Sequence, residues 1–333
     1  MKMGSWKKFL ILLVMAFVIG LAACQGGDDT SNEEETQVEE NESSEETSEE
    51  EAQDDEESAA SESVTLTDKS GEEVTIEEEP ERVVTVIPSA TEIVYAVGGG
   101  DKVVGVDEWS NYPEEVTDIE KVGDMNLNFE KIVELEPDLV VADLNNGDDI
   151  QALRDKGLKV IVLGAQTLEE TYEDLRLAGQ AVGTEEKANE TVENMQNRIE
   201  EIEKKTAELS EDEKKSVWFE IDQELFTAAE DTFMNELLQI AGGKNIMAGE
   251  EGWPQVNEEV VIEANPDVII TTYGYYMEDV EEQVLARENW KDVTAIQNEE
   301  VHNIDNDLLS RPGPRLIEGL EQLVNILYPD LME

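Results

Sequence analysis

The chain has 333 residues, with 83 Asp or Glu against 23 Lys or Arg and a net charge of −60 at pH 7. This charge argues against a surface that binds nucleic acid or an anionic membrane. A single histidine, His302, excludes a multi-histidine transition-metal site, and a single cysteine, Cys24, excludes a disulfide framework.

The N-terminal segment predicts export. Three lysines precede an apolar stretch over residues 9–21, which is too short for a membrane-spanning helix and typical of a secretory signal. The Leu-Ala-Ala-Cys sequence that ends at Cys24 resembles the bacterial lipobox, in which cleavage leaves a cysteine with a diacylglyceryl group. We therefore predict a lipoprotein signal peptide over residues 1–23 and lipidation of Cys24. The alternative is an ordinary signal peptide whose cleavage site happens to precede a cysteine.

The segment that follows Cys24 predicts a tether. Residues 25–62 contain 18 acidic residues and no Lys, Arg or aromatic residue. Such a segment cannot bury enough apolar surface to offset chain entropy, so we predict an acidic disordered tether over residues 24–62. The rest of the mature chain still has a net charge near −45, which favours adaptation to a salty or alkaline exterior.

An internal repeat organises the remainder of the chain. Residues 127–141 (LNFEKIVELEPDLVV) and residues 256–270 (VNEEVVIEANPDVII) share an Asn N-cap, a Glu two residues later, and a Pro-Asp pair before a buried strand. Because the pattern matches over 15 positions without a gap, the sequence predicts two lobes of like construction.

Strands alternate with helices around each copy of the repeat, which predicts a parallel α/β sheet in each lobe. We place an N-terminal lobe at residues 63–165 and a C-terminal lobe at residues 210–333. The predicted elements besides the repeat are a hairpin at 64–68 and 73–77, strands at 82–87, 103–106, 160–163, 217–221 and 301–304, and helices at 90–97, 232–240, 280–286 and 314–328.

A long helix is predicted between the lobes, within a connecting region at residues 166–209. Apolar residues recur there at alternating spacings of four and three, namely Ala188, Val192, Met195, Ile199 and Ile202. Such a stripe fits one helix whose apolar edge lies along both lobes, and fewer than three heptads make a coiled coil the weaker alternative. Two lobes joined by one long rigid helix should move little.

The chain has no recognisable catalytic or cofactor motif. The glycines at 98–100 lack the spacing of a phosphate-binding loop. His302 stands alone, so neither Ser-His-Asp nor Cys-His catalysis is expected, and a structural role is favoured over a ligand role. We therefore expect a binding protein rather than an enzyme, with no resident cofactor and no protein-bound metal. The alternatives left open are an exported hydrolase that uses acidic residues and a passive surface adhesin.

A family resemblance over residues 64–329 rests on four phrases: VIPSATEIVYAVG, VGDMNLNFEKIVELEPDLVVA, GGKNIMAGEEGWPQV and RPGPRLIEGLEQL. In this order and spacing the chain resembles the substrate-binding proteins of ABC importers for cobalamin and iron-siderophore complexes, most closely the cobalamin binders. The resemblance implies the periplasmic-binding-protein fold, with two Rossmann-like lobes joined by a helix. We expect a monomer, anchored by lipid at the extracytoplasmic face of the cell membrane, that delivers a metal chelate to a permease dimer with its ATPase subunits.

The resemblance also implies a docking role for two glutamates. Glu130 and Glu259 lie at equivalent positions of the repeat, where the family offers glutamates to arginines of the permease subunits. The alternative is a structural role, because a Glu in a first helical turn complements the helix dipole.

Aromatic residues are only 5% of the chain, and several follow predicted strands or precede helices, where a cleft between the lobes would bind a ligand. On this basis we predict ligand contacts from Trp109, Tyr112, Phe226, Trp253 and Tyr273, with Tyr275 and Tyr276 nearby. The resemblance matches Phe226 and Trp253 to aromatic contact positions of the cobalamin binders. It also matches Asp307 and Arg311 to a polar pair near the cleft, although two residues four apart could simply pair with each other.

Two departures from the cobalamin binders bear on the ligand. Where those proteins tend to carry tryptophan, this chain has Asp143 and Leu308, and the sequence LNNGDD after Asp143 predicts a polar, acidic part of the cleft mouth. The alternative ligands are a ferric siderophore and haem. Haem would usually require an axial ligand, for which His302 and a methionine are the only sources.

Overall fold

A β-hairpin leads into the N-terminal lobe of the computed structural model, which describes residues 63–332. Strand β1 (Val64–Thr67) pairs antiparallel with β2 (Glu73–Ile76), which confirms the predicted hairpin. Leu66 and Ile76 are buried while their neighbours along each strand are more exposed, as the alternation of apolar and polar residues predicts.

The N-terminal lobe is a parallel sheet with helices on both faces. Its strands are β3 (Val83–Thr85), β4 (Val103–Gly105), β5 (Leu139–Asp143) and β6 (Val160–Leu163), and its helices are α1 (Pro88–Ala96), α2 (Phe129–Glu134), α3 (Asp148–Asp155) and α4 (Leu168–Val182). The sheet order is β4-β3-β5-β6. Residues 139–142 of β5 enter two separate apolar clusters in alternation, which is why these four positions are all apolar.

Helix α5 (Glu185–Thr206) has 22 residues and connects the lobes, as predicted. All five residues of the apolar stripe are buried. The region 166–209 holds two helices rather than one, because Gly183 ends α4 in a left-handed conformation (φ 77°) that favours glycine. A Cβ added at Gly179 of α4 would lie 2.3 Å from Cβ of Ala188, so glycine permits the close packing of α4 on α5.

The C-terminal lobe repeats the same plan. Its strands are β7 (Ser216–Glu220), β8 (Lys244–Asn245), β9 (Val268–Thr271) and β10 (Val301–Asn303), and its helices are α6 (Phe233–Ile240), α7 (Glu258–Ala264), α8 (Val280–Leu285), α9 (Thr294–Gln297), α10 (Asn306–Ser310) and α11 (Leu316–Leu327). Short 3-10 helices in the two lobes lie at Gly100–Lys102, Glu114–Asp118, Leu144–Asn146 and Glu288–Trp290.

Both sheets have the same strand order. The C-terminal sheet is β8-β7-β9-β10, so in each lobe the first strand lies between the second and the third, and the fourth lies at an edge. The repeated segments occupy equivalent places, as α2 with β5 and α7 with β9. The predicted fold of two parallel α/β lobes is therefore confirmed.

One continuous cluster of buried apolar side chains joins the lobes. It runs from the N-terminal sheet through α4 and α5 to α6 and α11 of the C-terminal lobe. A second cluster covers the other face of the N-terminal sheet, and a third covers the other face of the C-terminal sheet. A core shared in this way opposes rotation of one lobe against the other. Within residues 63–332, no helix is both long and apolar enough to cross a membrane.

Candidate functional site: a cleft between two lobes

Exposed aromatic rings of the N-terminal lobe follow strand β4. The side chain of Trp109 is 64% exposed and that of Tyr112 is 44% exposed. Asp107 anchors this loop, since its buried carboxylate accepts hydrogen bonds from the backbone N of Trp109 at 2.8 Å and from the hydroxyl of Ser110. Burial raises the pKa of Asp107. The buried polar anchor lets the loop present an apolar ring to solvent.

A second group of aromatic rings belongs to the C-terminal lobe. Trp253, Tyr275 and Tyr276 are exposed, and Phe226 is half-buried. An isolated β-bridge pairs Phe226 with Gln255, which places the loop after β7 beside the loop that carries Trp253. The rings of Tyr275 and Tyr276 meet edge to face at 4.8 Å. These rings lie at the carboxyl ends of the strands or just before α7, where parallel sheets bind ligands.

Tyr273 departs from the predicted ligand wall, because its side chain is buried at 1% exposure. Its hydroxyl donates a hydrogen bond of 2.5 Å to the carboxylate of Glu220, and burial raises the pKa of this tyrosine. The same carboxylate accepts two hydrogen bonds from Arg287, at 2.7 and 2.6 Å, and one from the indole of Trp218 at 3.2 Å. The ring of Tyr273 stacks on Tyr276 at 5.8 Å, so Tyr273 supports the wall from behind.

A buried carboxylate joins the two lobes. Glu92 lies on α1, and its side chain is 3% exposed. Arg315 donates to its two oxygens at 2.8 and 2.6 Å, and Arg311 donates at 3.0 Å. Since Arg311 follows α10 and Arg315 precedes α11, both arginines reach Glu92 from the C-terminal lobe.

Two further residues complete what we call the interlobe cluster, which comprises Glu92, Asn111, Asp307, Arg311 and Arg315. Arg311 lies 3.0 Å from Asp307 and donates a hydrogen bond of 2.8 Å to the side chain of Asn111. Burial raises the pKa of Asp307, against the opposing effect of Arg311. The predicted pair of Asp307 and Arg311 is therefore formed, and both side chains also contact the other lobe.

Three residues of the interlobe cluster had not been predicted from the sequence, namely Glu92, Asn111 and Arg315. Arg315 also places its guanidinium 4.2 Å from the ring centre of Tyr112, a cation–π contact that orients a predicted ligand-binding ring. The sequence held a signal for Glu92, since no other charged residue lies between 83 and 100, and the structure buries the six residues from Ser89 to Val94. An acid in such a stretch needs a buried partner.

Asp143 itself is buried, whereas residues of the LNNGDD segment that follows it line a polar cavity of the N-terminal lobe. Asp143 is 3% exposed, burial raises its pKa, and its carboxylate accepts hydrogen bonds from Asn145 at 2.9 and 2.7 Å. A cavity of about 300 Å³ lies at the carboxyl ends of β3, β4 and β5. Its lining includes Trp109, Met125, Asp124, Asn146 and Asp149. A larger cavity of about 530 Å³ lies beside the hairpin, but acidic side chains dominate it and no aromatic ring lines it.

The two predicted docking residues occupy equivalent positions. Glu130 and Glu259 are each the second residue of a helix, in α2 and α7, and both are exposed. Asn128 caps the first helix by accepting a hydrogen bond of 3.1 Å from the backbone of Lys131, and Asn257 caps the second in the same way at 3.2 Å. Within residues 63–332, neither glutamate forms an ion pair.

The last two residues with a predicted role are Cys24 and His302. Cys24, the predicted lipidation site, lies outside the described residues. His302 is half-buried on β10 with its Nε2 atom 3.0 Å from the carboxylate of Glu300. Within residues 63–332, no group of three or more His, Cys, Asp or Glu side chains is placed to hold a metal ion.

Comparisons with known proteins agree with this geometry. The family model described as "Periplasmic binding protein" matches residues 83–308. An uncharacterized ABC transporter substrate-binding lipoprotein of Bacillus subtilis, YvrC, is 43% identical over 274 residues, which cover 80% of this chain and 86% of the relative.

Solved structures are similar as well. A possible iron-binding, periplasmic solute-binding protein of Staphylococcus epidermidis is 33% identical with a TM-score of 0.67, and the match covers 75% of this chain and 100% of that one. The periplasmic vitamin B12-binding protein of Vibrio cholerae is 28% identical with a TM-score of 0.64, covering 75% of this chain and 97% of that one.

Proposed function

The chain belongs to the periplasmic binding protein family, and on this premise we propose that it captures cobalamin, or a related corrinoid or metal chelate, for an ABC importer. The observation that supports this ligand class most is the set of exposed aromatic rings at the carboxyl ends of strands in both lobes. Trp109 and Tyr112 offer one wall of the cleft, and Trp253 and Tyr276 offer the other. A corrin is broad with apolar faces and a polar rim, so aromatic walls with a few polar groups suit it. The similarity to a vitamin B12-binding protein supports the same choice.

Capture would proceed with little movement of the lobes. The shared apolar core and the interlobe cluster both hold the cleft walls at a set separation. Arg315 contacts both Glu92 and Tyr112, so the same residue links the lobes and orients a ring of the wall. A preformed site of this kind loses little entropy on binding.

Delivery would use the outer faces of α2 and α7. Glu130 and Glu259 would each pair with basic side chains of one permease subunit, while the acylated Cys24 and the acidic tether hold the monomeric protein at the extracytoplasmic face of the membrane. The protein would perform no catalysis, since the ATPase subunits of the importer supply the energy. The metal chelate is cargo in this scheme, and no resident cofactor takes part.

Titration of the purified protein with candidate ligands tests the proposal. Cyanocobalamin, a ferric catecholate, a ferric hydroxamate and haemin would be added in turn while tryptophan fluorescence and heat are recorded. We expect saturable one-to-one binding of cyanocobalamin with quenching of Trp109 and Trp253. Binding of an iron chelate alone would contradict the cobalamin assignment and leave the importer role in place.

A ferric siderophore is the second candidate ligand, supported by the similarity to a possible iron-binding protein. Asp124 and Asp149 in the cleft mouth would repel an anionic catecholate chelate. A neutral or cationic hydroxamate chelate therefore fits this mouth better. Haem is less suited, because its anionic propionates would meet the same carboxylates.

A further inference from the structure

Exposed large hydrophobic side chains have a restricted distribution on this acidic protein. Within residues 63–332, seven lie in the segments between the end of a strand and the next α-helix, and three lie on α2 and α7. The loop residues are Trp109, Tyr112, Met125, Leu144, Trp253, Tyr275 and Tyr276, and the helix residues are Val133, Val260 and Ile262. Most of the residues in the first group belong to the proposed cleft. Those on the two docking helices require a different explanation.

Two of the helix residues are related by the internal repeat. Val133 and Ile262 are separated by 129 positions, the same offset as Glu130 and Glu259. Their exposed fractions are 45% and 38%. Each follows its glutamate by three residues and therefore lies on the same face of the helix, one turn further along.

Val133 and Ile262 are exposed although the apolar residue just before each of them is not. The preceding residues, Ile132 and Val261, are also related by the repeat, and both are completely buried. Each helix thus buries one aliphatic side chain against its sheet and presents the next to solvent beside a glutamate. Both lobes keep this arrangement although other positions of α2 and α7 differ, since Phe129 and Lys131 correspond to Glu258 and Val260 in the repeat.

We propose that Val133 with Glu130, and Ile262 with Glu259, form two equivalent docking patches for the two subunits of the permease. This inference rests on the proposed function and specifies its interface. Two like patches on one chain fit two copies of one partner related by a twofold axis, and each copy must offer a basic side chain next to an apolar surface. An exposed ion pair contributes little to affinity by itself, and an aliphatic contact beside it excludes water and adds buried apolar area.

The test uses the full chain and the permease–ATPase complex of the same cell in lipid nanodiscs. Affinity for the complex is measured for wild type, for Val133→Ala, for Ile262→Ala and for the double variant. We expect about tenfold weaker binding for the double variant, with similar losses from the two single variants, because the patches are equivalent. The matched control is Val260→Ala, since Val260 is 37% exposed on α7 but lies about 160° around the helix from Ile262. The control should bind as wild type does.

Each outcome decides the inference. Cyanocobalamin titration and circular dichroism establish that the variants are folded, and alanine at exposed helical positions favours the helix. Wild-type affinity of the double variant, alongside loss of binding by Glu130→Arg with Glu259→Arg, would overturn the apolar patches and leave docking by the glutamates intact. Retained binding by the glutamate variant would instead overturn the docking scheme as a whole. An equal loss from Val260→Ala would also overturn the patches, because the effect would not depend on helix face.

Discussion

In the N-terminal lobe the proposed cleft wall has two exposed rings, and carboxylates line the cavity beside Trp109. In the C-terminal lobe it has three exposed rings, one of which stacks on a tyrosine that is hydrogen-bonded to a buried ion pair. The outer helices α2 and α7 show no such difference, since cap, glutamate and exposed aliphatic residue recur in both. The comparison indicates that the duplicated scaffold is preserved where it would face a twofold-symmetric partner. It has diverged where it would face an asymmetric ligand.

The largest expected effect comes from breaking the symmetric part. Glu130→Arg combined with Glu259→Arg should abolish uptake in a reconstituted transporter, because both patches would repel basic permease residues. Ligand affinity should stay near that of wild type. The matched control is Glu186→Arg with Glu193→Arg, which makes the same charge changes at two exposed positions of α5, away from α2 and α7. Transport at the wild-type rate by the first variant would contradict the docking assignment.

The next effect concerns the contact between the lobes. Glu92→Gln should lower the free energy of unfolding by about 4 kcal/mol, because two partly buried arginines lose their shared carboxylate. Urea unfolding followed by circular dichroism measures the loss. Glu318→Gln, at an exposed position on α11, removes the same charge and should change stability little. Equal stabilities of the two variants would show that the interlobe cluster contributes nothing to holding the lobes.

A third prediction concerns the protonation of two buried acids, Glu220 and Asp174. Glu220 of the C-terminal lobe is fully hydrogen-bonded, whereas Asp174 on α4 accepts hydrogen bonds through only one oxygen, from the backbone of Gly164 and Ala165. Burial raises the pKa of Asp174 from 3.8 to about 6. Between these values the folded state holds a proton that the unfolded state has lost, so the contribution to stability falls as pH rises.

Asp174→Asn should therefore gain stability relative to wild type as pH rises. The difference in unfolding free energy, variant minus wild type, should increase by about 2 kcal/mol from pH 4 to pH 7. Denaturant unfolding at several pH values provides the curve. A flat difference would show that Asp174 titrates normally in the folded protein.

The smallest predicted effect distinguishes a residue that would contact the ligand, Trp253, from one that lies behind the proposed cleft wall, Tyr273. Tyr273→Phe should cost about 1 kcal/mol of stability, because Glu220 loses one of its hydrogen bonds. Affinity for cyanocobalamin should not change, since the ring that supports Tyr276 remains. Trp253→Ala should weaken the same binding about tenfold, because an exposed ring is lost from the wall. Equal losses of affinity from both variants would show that Tyr273 itself contacts the ligand.

Local patterns predicted most of the fold. The hairpin, the buried strands, the capped helices of the repeat and the apolar stripe of α5 all depend on neighbours in sequence, so periodicity and caps reveal them. Helix α4 was missed, although Gly183 marks its end in the sequence. The short helices α3 and α10 were missed because fewer than nine residues give little periodicity.

The site was less predictable, because its contacts join distant parts of the chain. Glu92 and Arg315 are separated by 223 positions, and no local pattern pairs them. Tyr273 was taken for a loop residue because it follows β9. Its burial depends on Glu220, the acid at the end of the apolar strand β7. Glu220 is 53 positions away from Tyr273 in the sequence.

The interlobe cluster affects how a transporter could tell a full carrier from an empty one. If Glu92 keeps the lobes at one separation, α2 and α7 present the same spacing whether or not the cleft is occupied. The permease would then meet one docking shape in both cases, and empty carriers would compete with full ones for it. Selection of full carriers would then have to act at the cleft itself, where bound cargo would cover the rings of Trp109 and Trp253, which are exposed without it.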